Sequence, residues 1–152
     1  MSHHSRSLPS GIIDNHRRRS VGDFLKEMIG EGSALSIVSA YFTIYAFDAL
    51  RGQLAAIDSL RFLFGEPRFT RSLDPERTDA KRFGIEDDGL QLQNRLQQKR
   101  IARDCASWIA DKVQIRSVRQ SNLLHGKMYY IAHDGVEEAL VGSSNFTVHG
   151  LG

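Results

Sequence analysis

The sequence predicts an α/β domain, a mixed β-sheet flanked by helices, and three observations carry that prediction. Ala34 to Phe42 (ALSIVSAYF) is β-branched and uncharged, the composition of a buried strand. A helix-spaced segment and a second short apolar run follow it, which is the spacing of a βαβ unit with a parallel strand pair. Two strand-like runs near the end of the chain are joined through Asp134-Gly135, a hairpin signal that adds an antiparallel pair.

The elements follow in order. Residues 1 to 19 are polar and basic, end on Arg17-Arg18-Arg19, and are expected to form a flexible tail; the domain proper is expected over 20 to 152. Ser20 is placed as a helix N-cap with Asp23 three residues on, and Phe24, Leu25, Met28 and Ile29 keep helical spacing until Gly30 and Gly32. After the strand at Ala34 to Phe42, a helix is expected from Ile44 to Ile57, with Phe47, Leu50, Leu54 and Ile57 on one side. Leu60 to Phe64 reads as the next strand. Gly65 to Asp88 is irregular, carries Pro67, Pro75 and charges of both signs, and reads as a loop or partly ordered flap. Its Arg68, Arg71, Arg77, Lys81 and Arg82 alternate with Phe69 and Phe83, a mixture suited to a nucleic-acid strand, although Glu76, Asp79, Glu86, Asp87 and Asp88 work against it. Leu90 to Lys112 is the longest expected helix. Its Leu92 and Leu96 lie on one face and Ile101, Cys105, Trp108 and Ile109 on another, so it is expected to bend or to pack on two neighbours. Strands are expected at Val113 to Val118, Leu124 to His133 and Glu138 to Phe146.

Composition bounds the function. The chain has 152 residues, 41% hydrophobic and 25% charged, enough for one domain with its own core. Net charge is +2, so any attraction for nucleic acid must come from local clusters rather than from the overall field. The one cysteine, Cys105, excludes an intrachain disulfide, fits a reducing compartment and reads as a small buried residue on a helix. No apolar run approaches the ~20 residues of a membrane-spanning helix. The N-terminus lacks the apolar stretch of a signal peptide, and the chain is read as cytoplasmic. It stops at Gly150-Leu151-Gly152, directly after its best motif, and is expected to be a fragment of a longer protein.

That motif is His125-Gly126-Lys127 followed by Gly142-Ser143-Ser144-Asn145. Alternate residues of a strand share a face, so His125 and Lys127 point the same way, as do Ser143 and Asn145. An imidazole, an ammonium, a hydroxyl and an amide at one spot suit a phosphodiester: a nucleophile or base, a fixed cation, and donors for the non-bridging oxygens. Singly, each residue reads as an ordinary hydrogen-bonding strand or turn residue. Together they do not, because burying Lys127 with no acidic partner is costly and a bound phosphate supplies the missing charge. Convergence depends on the hairpin. A two-residue loop at Asp134-Gly135 sets His125 opposite Ser144 and sends Ser143 and Asn145 to the other face. A three-residue loop from Asp134 to Val136, or an equivalent bulge, brings all four together, and this is the expected geometry.

At these residues, LLHGKMYYI and ALVGSSNFT, the chain resembles the phospholipase D superfamily, whose members carry His-x-Lys followed by Gly-Ser-x-Asn. It looks most like the bacterial branch attached to DNA helicases or found beside restriction nucleases. The order of elements from about Val21 onward is consistent with one such half-domain. The resemblance implies a metal-independent, cofactor-free phosphodiesterase acting on DNA through a phosphohistidine. His125 would be the nucleophile, Lys127 the phosphate clamp, and Ser143 and Asn145 the oxyanion contacts. Arg116 and Arg119, on or just after the preceding strand, are weaker candidates for substrate contact. The sequence shows no Cys/His or carboxylate cluster at metal-ligand spacing.

Two departures from the family pattern stand out. The family's Asp five residues after the Lys is replaced by Ala132, and an acidic residue expected beyond the Asn strand is not reached before Gly152. The mechanism also needs two histidines, and His133 and His149 lack a His-x-Lys context. A C2 homodimer with both His125 side chains near the axis, or a second half-domain in the parent protein, would supply the other. The competing readings are a non-catalytic module that grips a DNA phosphate or end for an attached helicase, and a purely structural domain. Lipid hydrolysis is disfavoured because no amphipathic helix or basic membrane face is evident.

Overall fold

The computed structural model describes residues 13, 19–65, 92–120 and 124–152. The expected flap lies outside these residues apart from Gly65, as does the expected tail apart from Ile13 and Arg19.

Helix α1 spans Val21–Met28, and the Ser20 hydroxyl caps it by accepting from the Asp23 N–H at 3.0 Å. Strand β1 is Ala34–Ser39, three residues shorter than its apolar run, because the chain turns after Ser39. The single helix expected next is two, α2 (Ile44–Ala49) and α3 (Arg51–Ala56). They break at Leu50, whose φ of −115° and ψ of 15° leave the helical region while its side chain stays fully buried. Strand β2 is Ser59–Phe64, helix α4 is Leu92–Lys112, and strand β3 is Val113–Ser117. Strands β4 (Lys127–His133) and β5 (Val136–Gly142) form the terminal hairpin, and a single-turn helix α5 (Val148–Leu151) closes the described chain.

The five strands form one mixed sheet in the order β3-β2-β1-β4-β5. β1 and β2 pair in parallel, as do β2 and β3, whereas β4 runs antiparallel to β1 and β5 antiparallel to β4. The carboxyl ends of β1, β2, β3 and β5 and the amino end of β4 therefore share one edge.

The buried strand residues, Leu35, Ile37, Leu60, Phe62, Phe64, Tyr129 and Ile131, all lie on one face of the sheet. Phe24 and Leu25 of α1, Phe47 of α2, Leu54 of α3, Cys105 and Trp108 of α4 and Leu151 of α5 cover that face in a continuous core. Trp108 packs on Phe47 at 5.1 Å between ring centroids and donates its indole N–H to the Leu54 carbonyl at 2.8 Å. Cys105 is buried, as read from the sequence, and burial pushes its thiol up to about 11. Of the two faces expected of the long helix, one packs on the core, and the Leu92 side chain of the other lies outside the described residues. Ile101, Cys105 and Trp108 are buried, while Leu96 is exposed among the described residues. No described helix is long and apolar enough to cross a membrane.

Candidate active site

The terminal hairpin corrects the register expectation. His133 pairs with Val136, so the loop is the two residues Asp134 and Gly135 rather than three, and no bulge follows. Both take positive φ, 49° and 76°, the twist that matches a tight hairpin to its strands. Extended further, this register would put Ser143 and Asn145 on the wrong face. The ladder instead stops at Lys127 and Gly142. Beyond that pair the chain leaves the sheet in a bend at Ser143. Register therefore does not decide the site.

Anchors on neighbouring elements decide it. Phe146, fully buried, forms a parallel bridge with Phe42, and their rings stack at 5.3 Å. The Phe146 carbonyl accepts from the Thr43 N–H at 3.2 Å, and Thr43 in turn caps α2 through its hydroxyl. On the other side, the Tyr129 hydroxyl donates to the Ser144 carbonyl at 2.8 Å. Burial holds the Tyr129 phenol well above its ordinary range, so it remains a donor. Between these two anchors Asn145 swings across the end of β1.

Ser39, the last residue of β1, receives it. Its side chain is buried, one of two fully enclosed polar residues among those described, with Ser33. The Ser39 hydroxyl accepts from the Phe146 N–H at 2.9 Å and from the Tyr41 N–H at 3.3 Å. Its own proton faces the Tyr41 carbonyl at 2.7 Å and the Asn145 Oδ1 at 3.1 Å. The Ala40 N–H also donates to Asn145 Oδ1 at 3.1 Å. Asn145 thus spends its acceptor on the protein, and its Nδ2, which can only donate, is the end left for a ligand. Sequence reasoning missed Ser39. Its one visible signal was a serine where a buried apolar strand gives way to a turn.

Lys127 projects to the same side of β4 as Tyr129 and Ile131. One step beyond the Val38–Met128 pair, the register sets Lys127 across from Ser39. Its Nζ donates to the His125 carbonyl at 2.7 Å, and among the described residues no carboxylate lies within ion-pairing distance. Lys127 and Asn145 are therefore both anchored at the end of β1, one by register and one by its bonds to Ser39 and Ala40, and a half-buried cation and an amide donor at one edge suit an anion.

The other expected site residues are placed less closely. His125 precedes β4 instead of lying in it, so strand alternation does not orient its ring, which is exposed. Its backbone is located by the Lys127 bond and by Gly65. A Cβ at Gly65 would come within 2.8 Å of the Leu124 carbonyl oxygen, and the Gly65 N–H donates to the Ser39 carbonyl at 3.1 Å. Ser143 is exposed in the bend, on the same edge of the sheet. Arg116 is paired with Leu63 on β3, on the face opposite to Lys127 and three strands away, roughly 14 Å at the usual strand spacing. Arg119 follows β3, exposed, at the site's edge of the sheet. A second glycine seats the motif: a Cβ at Gly150 would lie 1.9 Å from the Asn145 carbonyl oxygen, so α5 packs its backbone directly against Asn145. Among the described residues no three of His, Cys, Asp or Glu gather as a metal-binding group.

A family model described as the NgoFVII restriction endonuclease N-terminal PLD domain matches residues 83–152, the segment that holds α4, β3, the hairpin and the motif. No curated protein and no solved structure matches the chain.

Proposed function

We propose that the chain carries a phospholipase D-like nuclease domain of the restriction-endonuclease kind, the description of the family model that residues 83–152 match, and that it cleaves the DNA backbone through a phosphohistidine formed on His125. The observation that carries the reading is that Lys127 and Asn145 are both anchored at the end of β1, a cation without an acidic partner among the described residues and an amide whose acceptor is already used. A phosphodiester completes both.

In the proposed reaction a ring nitrogen of His125 attacks phosphorus and the bond to one bridging oxygen breaks. Lys127 and the Asn145 Nδ2 stabilise charge on the non-bridging oxygens, and Ser143 adds a hydroxyl donor. A second histidine gives its proton to the leaving oxygen. It then takes a proton from the water that attacks the phosphohistidine, releasing the phosphate monoester and restoring His125. No metal or other cofactor takes part. The exposure of His125 leaves it free to meet its counterpart across a C2 axis, so the active species is a homodimer joined through this edge of the sheet. We read the setting as that of a cytoplasmic restriction-type nuclease, the kind whose family model residues 83–152 match, ahead of the helicase-linked one.

The test is cleavage of labelled single- and double-stranded DNA in excess EDTA. The wild type is expected to cut and His125→Ala to bind without cutting. DNA binding by both with cutting by neither would replace this reading with that of a phosphate-gripping module.

A further inference from the structure

The turn that follows β1 carries an aromatic side chain that packs on none of the described rings. Tyr41 is 59% exposed, and among the described residues its ring and hydroxyl make no hydrogen bond or ring contact. A lone exposed tyrosine is ordinary on a protein surface. Tyr41 differs in how firmly its backbone is held. Its N–H and its carbonyl both bond the buried Ser39 hydroxyl, at 3.3 and 2.7 Å. The residue before it donates its N–H to Asn145 Oδ1. The residue after it, Phe42, stacks on Phe146 at 5.3 Å and meets Phe62 edge-on at 5.6 Å. Tyr45, four residues on, contrasts with it, since its hydroxyl accepts from Gln98 at 2.7 Å. The chain therefore holds half-buried Ala40 by a backbone hydrogen bond and Phe42 by ring packing against the core, and leaves Tyr41 itself exposed. One hydroxyl, that of Ser39, holds both this turn and the amide that faces the phosphate site.

We propose that Tyr41 is a stacking platform for a nucleobase next to the phosphate held by Lys127 and Asn145. The proposal rests on the reading that the site takes a DNA phosphodiester and adds where the flanking base goes. A phosphate site alone grips any backbone. An aromatic plane pre-set beside it prefers strands whose bases can leave the duplex stack, because every base presents a π-face and none is read by its edge. The favoured substrate is therefore DNA in which the base beside the bound phosphate is unpaired or can unstack, and the platform itself adds little sequence preference. Binding costs little backbone freedom, since the turn is already held through Ser39, and the ring has only two torsions to fix.

The experiment measures binding by fluorescence anisotropy, with two strands of equal length: an oligothymidylate and an abasic sugar-phosphate strand. His125→Ala is the background, so that neither strand is cut. Adding Tyr41→Ala is expected to weaken oligothymidylate binding by about tenfold and to leave abasic-strand binding unchanged, while Tyr41→Phe keeps the parent affinity for both. Equal affinity of the Tyr41→Ala protein and its parent for oligothymidylate overturns the proposal. So does a loss of the same size on the abasic strand, which would assign Tyr41 to the backbone or to the loop's own structure. Parent protein that binds neither strand overturns the DNA reading itself and the stacking site with it, an outcome that Tyr41 variants do not enter. Thermal melts of the three proteins are expected to coincide, because only an exposed ring is changed.

Discussion

Replacing Ser39 with alanine removes one oxygen atom from the end of β1 and tests whether that atom organises the site. Its hydroxyl accepts from the Phe146 N–H and the Tyr41 N–H and shares its proton between the Tyr41 carbonyl and Asn145 Oδ1. Phe146 is fully buried, so its N–H finds neither another partner nor water when the hydroxyl is gone. An unpaired buried donor costs about 1–3 kcal/mol, and the lost bonds to the less buried Tyr41 and Asn145 groups add about 1 kcal/mol. A loss of about 2–4 kcal/mol is a large part of the roughly 5–15 kcal/mol that holds a domain folded. For a chain of this size it lowers Tm by on the order of 10 °C. Urea titration followed by circular dichroism measures it, with the midpoint falling and the slope unchanged. The Asn145→Ala variant, taken with the Ser39→Ala, Asn145→Ala double variant, should give a coupling of about 1 kcal/mol between the two sites. A Ser39→Ala loss below about 0.5 kcal/mol, or two single effects that simply add, would mean that the Ser39 hydroxyl does not organise this edge of the sheet.

Three further outcomes follow from the same geometry. Gly150→Ala places a Cβ 1.9 Å from the Asn145 carbonyl oxygen, so α5 must move off the motif; we expect DNA binding to fall at least tenfold with a lower Tm, and a variant that binds as the wild type does would show that α5 does not seat Asn145. Lys127→Met removes a half-buried cation that has no acidic partner among the described residues, so stability by urea titration should hold or rise while affinity for a single-stranded oligonucleotide drops; a clear loss of stability would mean that the ammonium serves the fold. The Cys105 thiol, pushed up by burial from 9.0 to about 11, keeps its proton in the folded state after the unfolded chain has lost it. Its contribution is therefore complete below pH 9 and lost as pH rises towards 11, at about 1.4 kcal/mol per unit. Tyr129 adds the same sign at higher pH. Cys105→Ala should flatten the first part of that decline, and the native thiol should not react with a thiol reagent at neutral pH; rapid labelling would contradict its burial.

The sheet was legible because its signals are local. The strand-like runs of the hairpin, the uncharged run of β1 and the Asp134-Gly135 turn each act within a few residues, and Ser20 caps α1 as its spacing predicts. The site was legible as a set of residue types and not as a geometry. A strand argument made convergence hang on one residue of loop length, yet the hairpin took the two-residue loop and Asn145 still reached the end of β1. The contacts that place it, Ser39 to Asn145 and Tyr129 to Ser144, are not set by strand alternation. The first spans 106 positions. Gly65 and Gly150 are legible only afterwards, because a glycine required by a neighbour's backbone looks in sequence like any other turn glycine. The break at Leu50 was hidden for a similar reason: burial of the leucine outweighs its helix propensity.

The central claim is that His125 becomes covalently bonded to the phosphorus of DNA. Mixing the protein with end-labelled DNA in excess EDTA, quenching within the first turnover and separating under denaturing conditions at alkaline pH measures that bond directly. A phosphohistidine on His125 gives a labelled protein band that is stable to alkali, released by acid, and absent from His125→Ala. Cleavage that proceeds with no such band, or a band that persists in His125→Ala, would contradict the claim.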